Sequence, residues 1–495
     1  MTHIRFSRGS HRPTALAPFR RPAIVRAGKH LYWGLLFLIT IFSGCKVGQN
    51  YQRPQVSLPA EFRGAAKMDS VTVARVPWRE FFQHTELQQL IDRALVGNFD
   101  LQIAIKRIEE SQATLRQARY TLSPTVQAQV TASTVTPSKN SLNGLSLENF
   151  IGSRHLEDYN ANLGLSWELD IWGKLRRQNE ATRATYLQTE EAAKAVQTQL
   201  IANVARGYFT LLLLDAQLDI ARRNLVLGDS IVQLVGLQKE AGEVTQLAVE
   251  QAQAQRQMAA LIRSQLEQAI VIQENGLRQL LGDMPDSIPR STRLEAFPLA
   301  DTLLTGVPVQ LLSNRPDVRA SEMNLAAAHA QMGVAQASMY PAFVITGSSG
   351  FNAFRAGNWF LLPSSLFYTV GGGLTQPIFG RRQLKTQLEI ARVRQEQAAI
   401  QFRQVVTNSV REVSDALVGV QKLKEQEQVA ALRVSTLKGA ITNAKLLFNS
   451  GMATYLEVIT AQSNALGAEL TLAEIRQQRL NVMVDVYRAL GGGWQ

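Results

Sequence analysis

The sequence predicts a mixed α and β membrane protein, in which long coiled-coil helices form an α-barrel and four amphipathic strands per chain supply part of a transmembrane β-barrel. Three observations carry this. At Trp167–Gln178, read Trp-Glu-Leu-Asp-Ile-Trp-Gly-Lys-Leu-Arg-Arg-Gln, the hydrophobic pattern changes from period two to helical. The same passage recurs at Leu374–Gln383, 207 residues later, so one chain runs the programme twice. Proline is absent from Gly173 to Pro285 and again after Pro377, as very long helices require.

The first strand, about 125–136, sets Val126, Ala128 and Val130 on one face and Gln127, Gln129 and Thr131 on the other. The second, about 159–170, alternates Tyr159, Ala161, Leu163, Leu165 and Trp167 with Asn160, Asn162, Gly164, Ser166 and Glu168. The polar stretch 137–158 between them, rich in Ser and Asn, reads as a long loop. A long helix is expected over 174–241, with apolar residues at Leu200, Val204, Gly207, Leu211, Leu214 and Leu218 and on to Val235 in steps of four and three. At 1.5 Å per residue it would reach about 100 Å. Ala241-Gly242-Glu243-Val244-Thr245 breaks it, and a return helix is expected over 252–281.

The second half repeats this order, with strands at about 342–351 and 366–375, a long helix over 381–449, a break at Gly451-Met452-Ala453-Thr454 and a return helix over 454–490. Asn98-Phe99-Asp100-Leu101 answers Arg315-Pro316-Asp317-Val318 at an offset of 217. The expected organisation is a signal peptide at 1–44, a strap at 45–84, a first repeat at 85–284, a connector at 285–312 and a second repeat at 313–495.

The first 30 residues hold seven Lys/Arg and no acid, followed by the apolar run Leu31–Phe42 and then Ser43-Gly44-Cys45. A run of this length falls short of the roughly 20 residues a bilayer-spanning helix needs, and its flanks are those of a secretory signal. Cys45 is the only cysteine in 495 residues, so no disulfide framework exists. Without the signal, 45 basic face 40 acidic residues, a net +5 instead of +12. The remaining basic residues are interleaved with acids, which gives no nucleic-acid footprint. Beyond the signal only His84, His155 and His329 remain, none at ligand spacing, so neither a metal site nor a cofactor nor catalysis is expected. Gly371-Gly372-Gly373 lies in a strand pattern without a following lysine and reads as relief of crowding in the barrel wall.

Four strands cannot close a barrel, and an open edge in lipid strands backbone groups at several kcal/mol each. The barrel must be shared between chains: two would give eight strands and a filled interior, three would give twelve and a lumen.

Several stretches together carry a family resemblance: Phe42-Ser-Gly-Cys45 with Tyr51-Gln-Arg-Pro54, Trp167–Lys174, Leu312–Arg319, Gly451–Gln462 and Tyr487–Trp494. In that order they resemble the TolC-type outer-membrane factors, in the lipoprotein branch similar to OprM and NodT. The resemblance implies a homotrimer with a twelve-stranded outer-membrane barrel and a periplasmic helical barrel. It also implies diacylglycerol and an N-acyl chain on Cys45, a periplasmic adaptor and an inner-membrane pump of the resistance-nodulation-division class as partners, and a gate at the helix tips. Relatives often carry Leu-Asp-Ala-Gln in the second hairpin; this chain has Ile459-Thr460-Ala461-Gln462, so the acidic ring is missing at Thr460. Leu456 would supply an apolar ring there, with Glu457 the acid that could point inward. Gly242, Glu243, Val244 and Thr245, with Gly451, Met452, Ala453 and Thr454, are the expected adaptor contacts. The expected function is a passive exit duct for small molecules such as drugs. A duct for protein secretion or metal-ion export, and a scaffold without a pore, are the alternatives.

Overall fold

The computed structural model describes residues 47–64, 73–297 and 308–494; the signal and Cys45 lie outside the described residues. The principal elements are α1 (Thr85–Gly97), α2 (Phe99–Tyr120), β1 (Thr125–Val135), α3 (Leu142–Ile151), β2 (Leu156–Leu169), α4 (Lys174–Glu240) and α5 (Gln246–Leu281). The second half follows with α6 (Pro316–Ala337), β3 (Ala342–Ala353), β4 (Leu366–Thr375), α7 (Gln383–Asn449) and α8 (Tyr455–Ala489). The duplication is visible in the lengths. Helices α2 and α6 both have 22 residues, α4 and α7 both have 67, and α5 and α8 have 36 and 35.

Three expectations need correction. The loop after β1 contains the ten-residue helix α3, begun by Ser141, whose hydroxyl accepts the Gly144 N–H at 3.1 Å. The first return helix starts at Gln246 and not at 252, because Leu247, Ala248 and Val249 are consecutive apolar residues and so show no helical spacing of their own. The glycines of β4 do not relieve crowding within the chain: a Cβ at Gly371 or Gly372 would meet nothing closer than 3.6 Å, and one at Gly373 nothing within 4 Å.

The sheet order is β1-β2-β3-β4, antiparallel throughout. Its core-like packing lies elsewhere, in a belt around the middle of α4. There Leu200, Ile201, Val204, Tyr208, Leu211 and Leu212 are buried against Leu87 and Ile91 of α1, Leu277 of α5 and Leu480 and Val484 of α8. Of the expected heptad seam of α4, Leu200, Val204, Leu211 and Leu218 are buried at this level while Gly207 and Leu214 are half-buried, and the neighbouring Ile201, Tyr208 and Leu212 are buried too. Gly97 and Gly282 end α1 and α5 against each other; a Cβ on either would stand 2.0–2.1 Å from a carbonyl oxygen.

At the belt, Glu86 accepts from Tyr208 Oη (2.6 Å), Ser291 N and Oγ (3.0 and 2.6 Å) and Thr292 Oγ1 (3.2 Å), tying the connector to α1 and α4. Desolvation pushes this carboxyl up, but the combined hydrogen bonds from Ser291, Tyr208 and Thr292 outweigh it and hold the pKa at about 2, against 4.5. A carboxyl depressed on folding contributes stability that is complete above 4.5 and is lost as pH falls toward 2. The urea midpoint is expected to drop across that window, and Glu86→Gln should flatten the drop. An equal acid slope in both proteins would show that Glu86 is not the group responsible.

Both strand-to-helix passages turn through left-handed residues. Gly173 (φ 80) does so before α4, and the Asp170 carboxylate then caps the helix by accepting Leu175 N at 2.9 Å and Arg176 N at 3.0 Å. Before α7 the corresponding turn is made by Arg381 (φ 49) and Arg382 (φ 64), each costing roughly 1–2 kcal/mol that a glycine would avoid.

The strap starts beside the first passage, where Val47 N donates to Trp172 O at 3.3 Å. Arg177, 2% exposed, donates to the carbonyls of Gly48 (3.2 Å) and Gln49 (2.8 Å) and pairs with Glu180 at 2.7 Å. Arg53 grips Glu322 of α6 through two hydrogen bonds of 2.6 and 2.7 Å. Tyr51, Val56 and Leu58 pack on a cluster of Val318, Leu325, Phe402 and Val406, and Phe62 is buried among Leu311, Val413 and Val486. One extended segment therefore runs from the end of the sheet to the cluster of Leu311, Val413 and Val486 and touches both repeats.

Candidate functional site

Residues paired across an antiparallel ladder share a face, so the register reads out the two surfaces of the sheet. One set runs Val126–Leu165–Gly347–Val370, Ala128–Leu163–Ser349–Tyr368 and Val130–Ala161–Phe351–Leu366, with Trp167–Ile345 and Phe343–Leu374 toward the helices. The other runs Gln127–Gly164–Ser348–Thr369, Gln129–Asn162–Gly350–Phe367 and Thr131–Asn160–Asn352. The first face is almost wholly apolar, and its Val130, Tyr368 and Val370 are 71%, 81% and 83% exposed. The second carries mainly carboxamides and hydroxyls, with the acids Asp158 and Glu168 toward its two ends. An apolar face turned to lipid and a polar face turned to water is what a membrane barrel needs. No helix among the described residues is long and apolar enough to cross a membrane. The outer edges of β1 and β4 have no partner strand among the described residues.

At the far end of the long helices the two breaks meet. Helix α4 ends with Gly242 (φ 80), where Gly242 N donates to Lys239 O and Glu243 N to Gln238 O, each at 2.9 Å. Helix α7 ends the same way with Gly451 (φ 71), Gly451 N donating to Phe448 O at 3.0 Å and Met452 N to Leu447 O at 2.9 Å. Both are helix stops that need a left-handed residue, which is why glycine occupies them. The hairpins pack on each other through Ile231, Val235, Val244, Ala248, Val249 and Tyr455. Tyr455 Oη also donates to Gln251 at 2.6 Å. That bond was not readable in the sequence, because Gln251 is one of many glutamines on its helix.

Glu243, Thr245, Met452 and Thr454 are exposed, while Val244 and Ala453 are half-buried. Leu456, 53% exposed, and Thr460 lie four residues apart on one open face of α8, opposite the buried Val458 and Gln462. Glu457 caps its own helix, accepting the Thr454 N–H at 2.9 Å and the Thr454 hydroxyl in a capping box. The Thr454 hydrogen bond, joined by backbone N–H groups, holds its carboxyl below the usual range. The first hairpin lacks this device: Thr245 begins α5 without a side-chain cap, and Ala248 stands where Glu457 would.

A duplicated chain with an amphipathic, edge-open sheet continued by helices of about 100 Å defines a channel-forming protein of the outer membrane. A family model described as outer membrane efflux protein matches residues 90–283 and 307–492, one segment in each repeat, and the chain belongs to that family. It is similar to the cation efflux system protein CusC of Escherichia coli O6:H1, with 31% identity over 471 residues, 92% of this chain and 96% of that protein. It is as similar to the toluene efflux pump outer membrane protein TtgC of Pseudomonas putida, with 30% identity over 470 residues, 92% and 94% of the two. Among solved structures, CusC superposes with a TM-score of 0.80 at 28% identity, covering 91% of this chain and all 100% of that one. The open state of the Neisseria gonorrhoeae MtrE outer membrane channel gives 0.77 at 26%, covering 91% and 99%. The protein is thus an outer-membrane efflux duct, with its sheet in the bilayer and its helices in the periplasm.

Proposed function

We propose that three copies close their sheets into one twelve-stranded barrel and their helices into a tube below it. The assembly passes small molecules such as drugs outward, fed by a periplasmic adaptor and an inner-membrane pump of the resistance-nodulation-division class. The observation that carries this is the sheet itself: one apolar face, one carboxamide face and two unpartnered edges. Three copies leave a lumen where two would fill it. Cys45 carries diacylglycerol and an N-acyl chain. In support, the strap's Val47, two residues on, is bonded to Trp172 where sheet gives way to helix, at the depth of the inner leaflet.

The gate lies on the open face of α8, with Leu456 as an apolar ring and Thr460 below it. The tips Gly242–Thr245 and Gly451–Thr454 receive the adaptor. Glu457 is engaged by Thr454, which favours Leu456 and Thr460 over Glu457 as the lining residues. Planar-bilayer conductance of the extracted protein, with its mass, tests the reading: a trimer whose small conductance rises on Leu456→Ala is expected. A monomer silent under every substitution overturns it. Thr460→Asp is expected to raise cation over anion permeability, and an unchanged reversal potential would remove Thr460 from the constriction.

A second reading, export of metal cations, is favoured by the similarity to CusC, the cation efflux protein. Restoring tolerance of metal cations rather than of solvents to a strain lacking its own duct would select it.

A further inference from the structure

The periplasmic rim of the sheet carries more cations than its carboxylates neutralise. Lys174 pairs with Glu168 at 2.6 Å, Arg176 with Asp170 at 2.9 Å and Arg382 with Glu389 at 2.9 Å. Arg116 and Arg119 at the end of α2, and Arg381 and Lys385 around the start of α7, are exposed and have no ion-pair partner among the described residues. Beside them stand Tyr120, Ile378 and Phe379, exposed by 75%, 98% and 93%. Aromatic and aliphatic groups next to cations make the composition of a membrane interface.

The two unpaired sets sit on opposite edges of the sheet. Arg116, Arg119 and Tyr120 lead into β1; Ile378, Phe379, Arg381 and Lys385 follow β4. Pairing β4 of one copy with β1 of the next brings both sets to a single seam. Like charges so gathered repel unless an anion lies between them. The apolar face of the sheet ends at this level with Trp167 and Leu374, so the anion within reach belongs to a lipid headgroup. A zwitterionic headgroup would add its own cation to a cationic seam, whereas an anionic one would not. The left-handed Arg381 and Arg382, where the first repeat uses Gly173, keep charge at the rim against the local backbone preference.

We propose that each subunit seam binds an anionic phospholipid of the inner leaflet. Its phosphate lies between Arg116 and Arg119 of one copy and Arg381 and Lys385 of the next, with its acyl chains against Tyr120, Ile378 and Phe379. This rests on the shared barrel proposed above.

Native mass spectrometry of the full-length protein with phosphatidylglycerol or phosphatidylcholine tests both claims separately, because oligomer mass and lipid adducts are read together. The trimer is expected to retain phosphatidylglycerol preferentially. Arg119→Gln/Arg381→Gln/Lys385→Gln should lose on the order of a hundred-fold of that preference, each of the three basic side chains beside anionic lipid being worth about five-fold. A trimer without headgroup preference, or a variant that keeps it, overturns the lipid site but not the duct; failure to form a trimer overturns the shared barrel. Should the variant not assemble, phosphatidylglycerol bearing a photoreactive acyl chain decides with the wild type alone. Labelling of peptides holding Tyr120, Ile378 or Phe379 supports the site, and labelling only elsewhere overturns it.

Discussion

Val130→Arg is expected to remove the protein from the outer membrane. Val130 is the middle residue of β1, 71% exposed and paired with Ala161, whose next partner across the sheet is Phe351. All three lie on the apolar face. An arginine facing lipid at mid-bilayer costs about 2–4 kcal/mol, and in a three-copy barrel each chain carries one. The total rivals the whole stability of a typical domain, about 5–15 kcal/mol. Gln129→Arg, one residue back and on the carboxamide face, places the same side chain in water. It should assemble normally and shift selectivity toward anions. Membrane fractionation with heat-modified electrophoresis distinguishes the two variants. Equal assembly of both would mean that the faces are assigned wrongly.

Arg177→Ala is expected to release the strap from the barrel base. The guanidinium lies in a slot made possible by Gly333, where a Cβ would meet the arginine side chain at 3.1–3.2 Å. Its removal takes a donor from the Gly48 and Gln49 carbonyls, of which Gln49 keeps His329 Nε2 at 2.9 Å, and ends the Glu180 pairing, at about 1–3 kcal/mol. Lysine should not rescue, because a single ammonium cannot reproduce a fork that spans two carbonyls and a carboxylate. Hydrogen exchange over 47–58 is the measurement. Protection should fall there while the belt around Leu200–Leu212 stays protected, and unchanged protection would assign the strap's hold to Arg53 and the apolar contacts instead.

The architecture was legible because its signals are periodic. Alternation marked the first two strands within a few residues, the repeated order of the second half placed the other two, and the absence of proline announced both 67-residue helices. The glycines at 242 and 451 marked the tips because a left-handed helix stop accepts little else. Side-chain clamps were not legible. Arg177 stands next to Arg176 in the same motif, yet Arg176 is exposed and Arg177 buried, a difference created by a strap 128 residues away in sequence. Helix α3 escaped notice because its Leu142, Leu145 and Phe150 are exposed and trace no core-facing stripe. The role of Glu457 as a cap could have been read from Thr454-x-x-Glu457, a spacing specific to helix starts.

That cap stands at one tip and not at the other, and the difference has a consequence for symmetry. In the proposed three-copy assembly a duplicated chain would present six hairpins around the axis, close to sixfold in backbone but threefold in chemistry. Alternate spokes begin with a locked first turn and with an unlocked one. A partner assembled as a ring of six would meet two kinds of tip in strict alternation. Its subunits would then fall into three pairs, although every one of them has the same sequence.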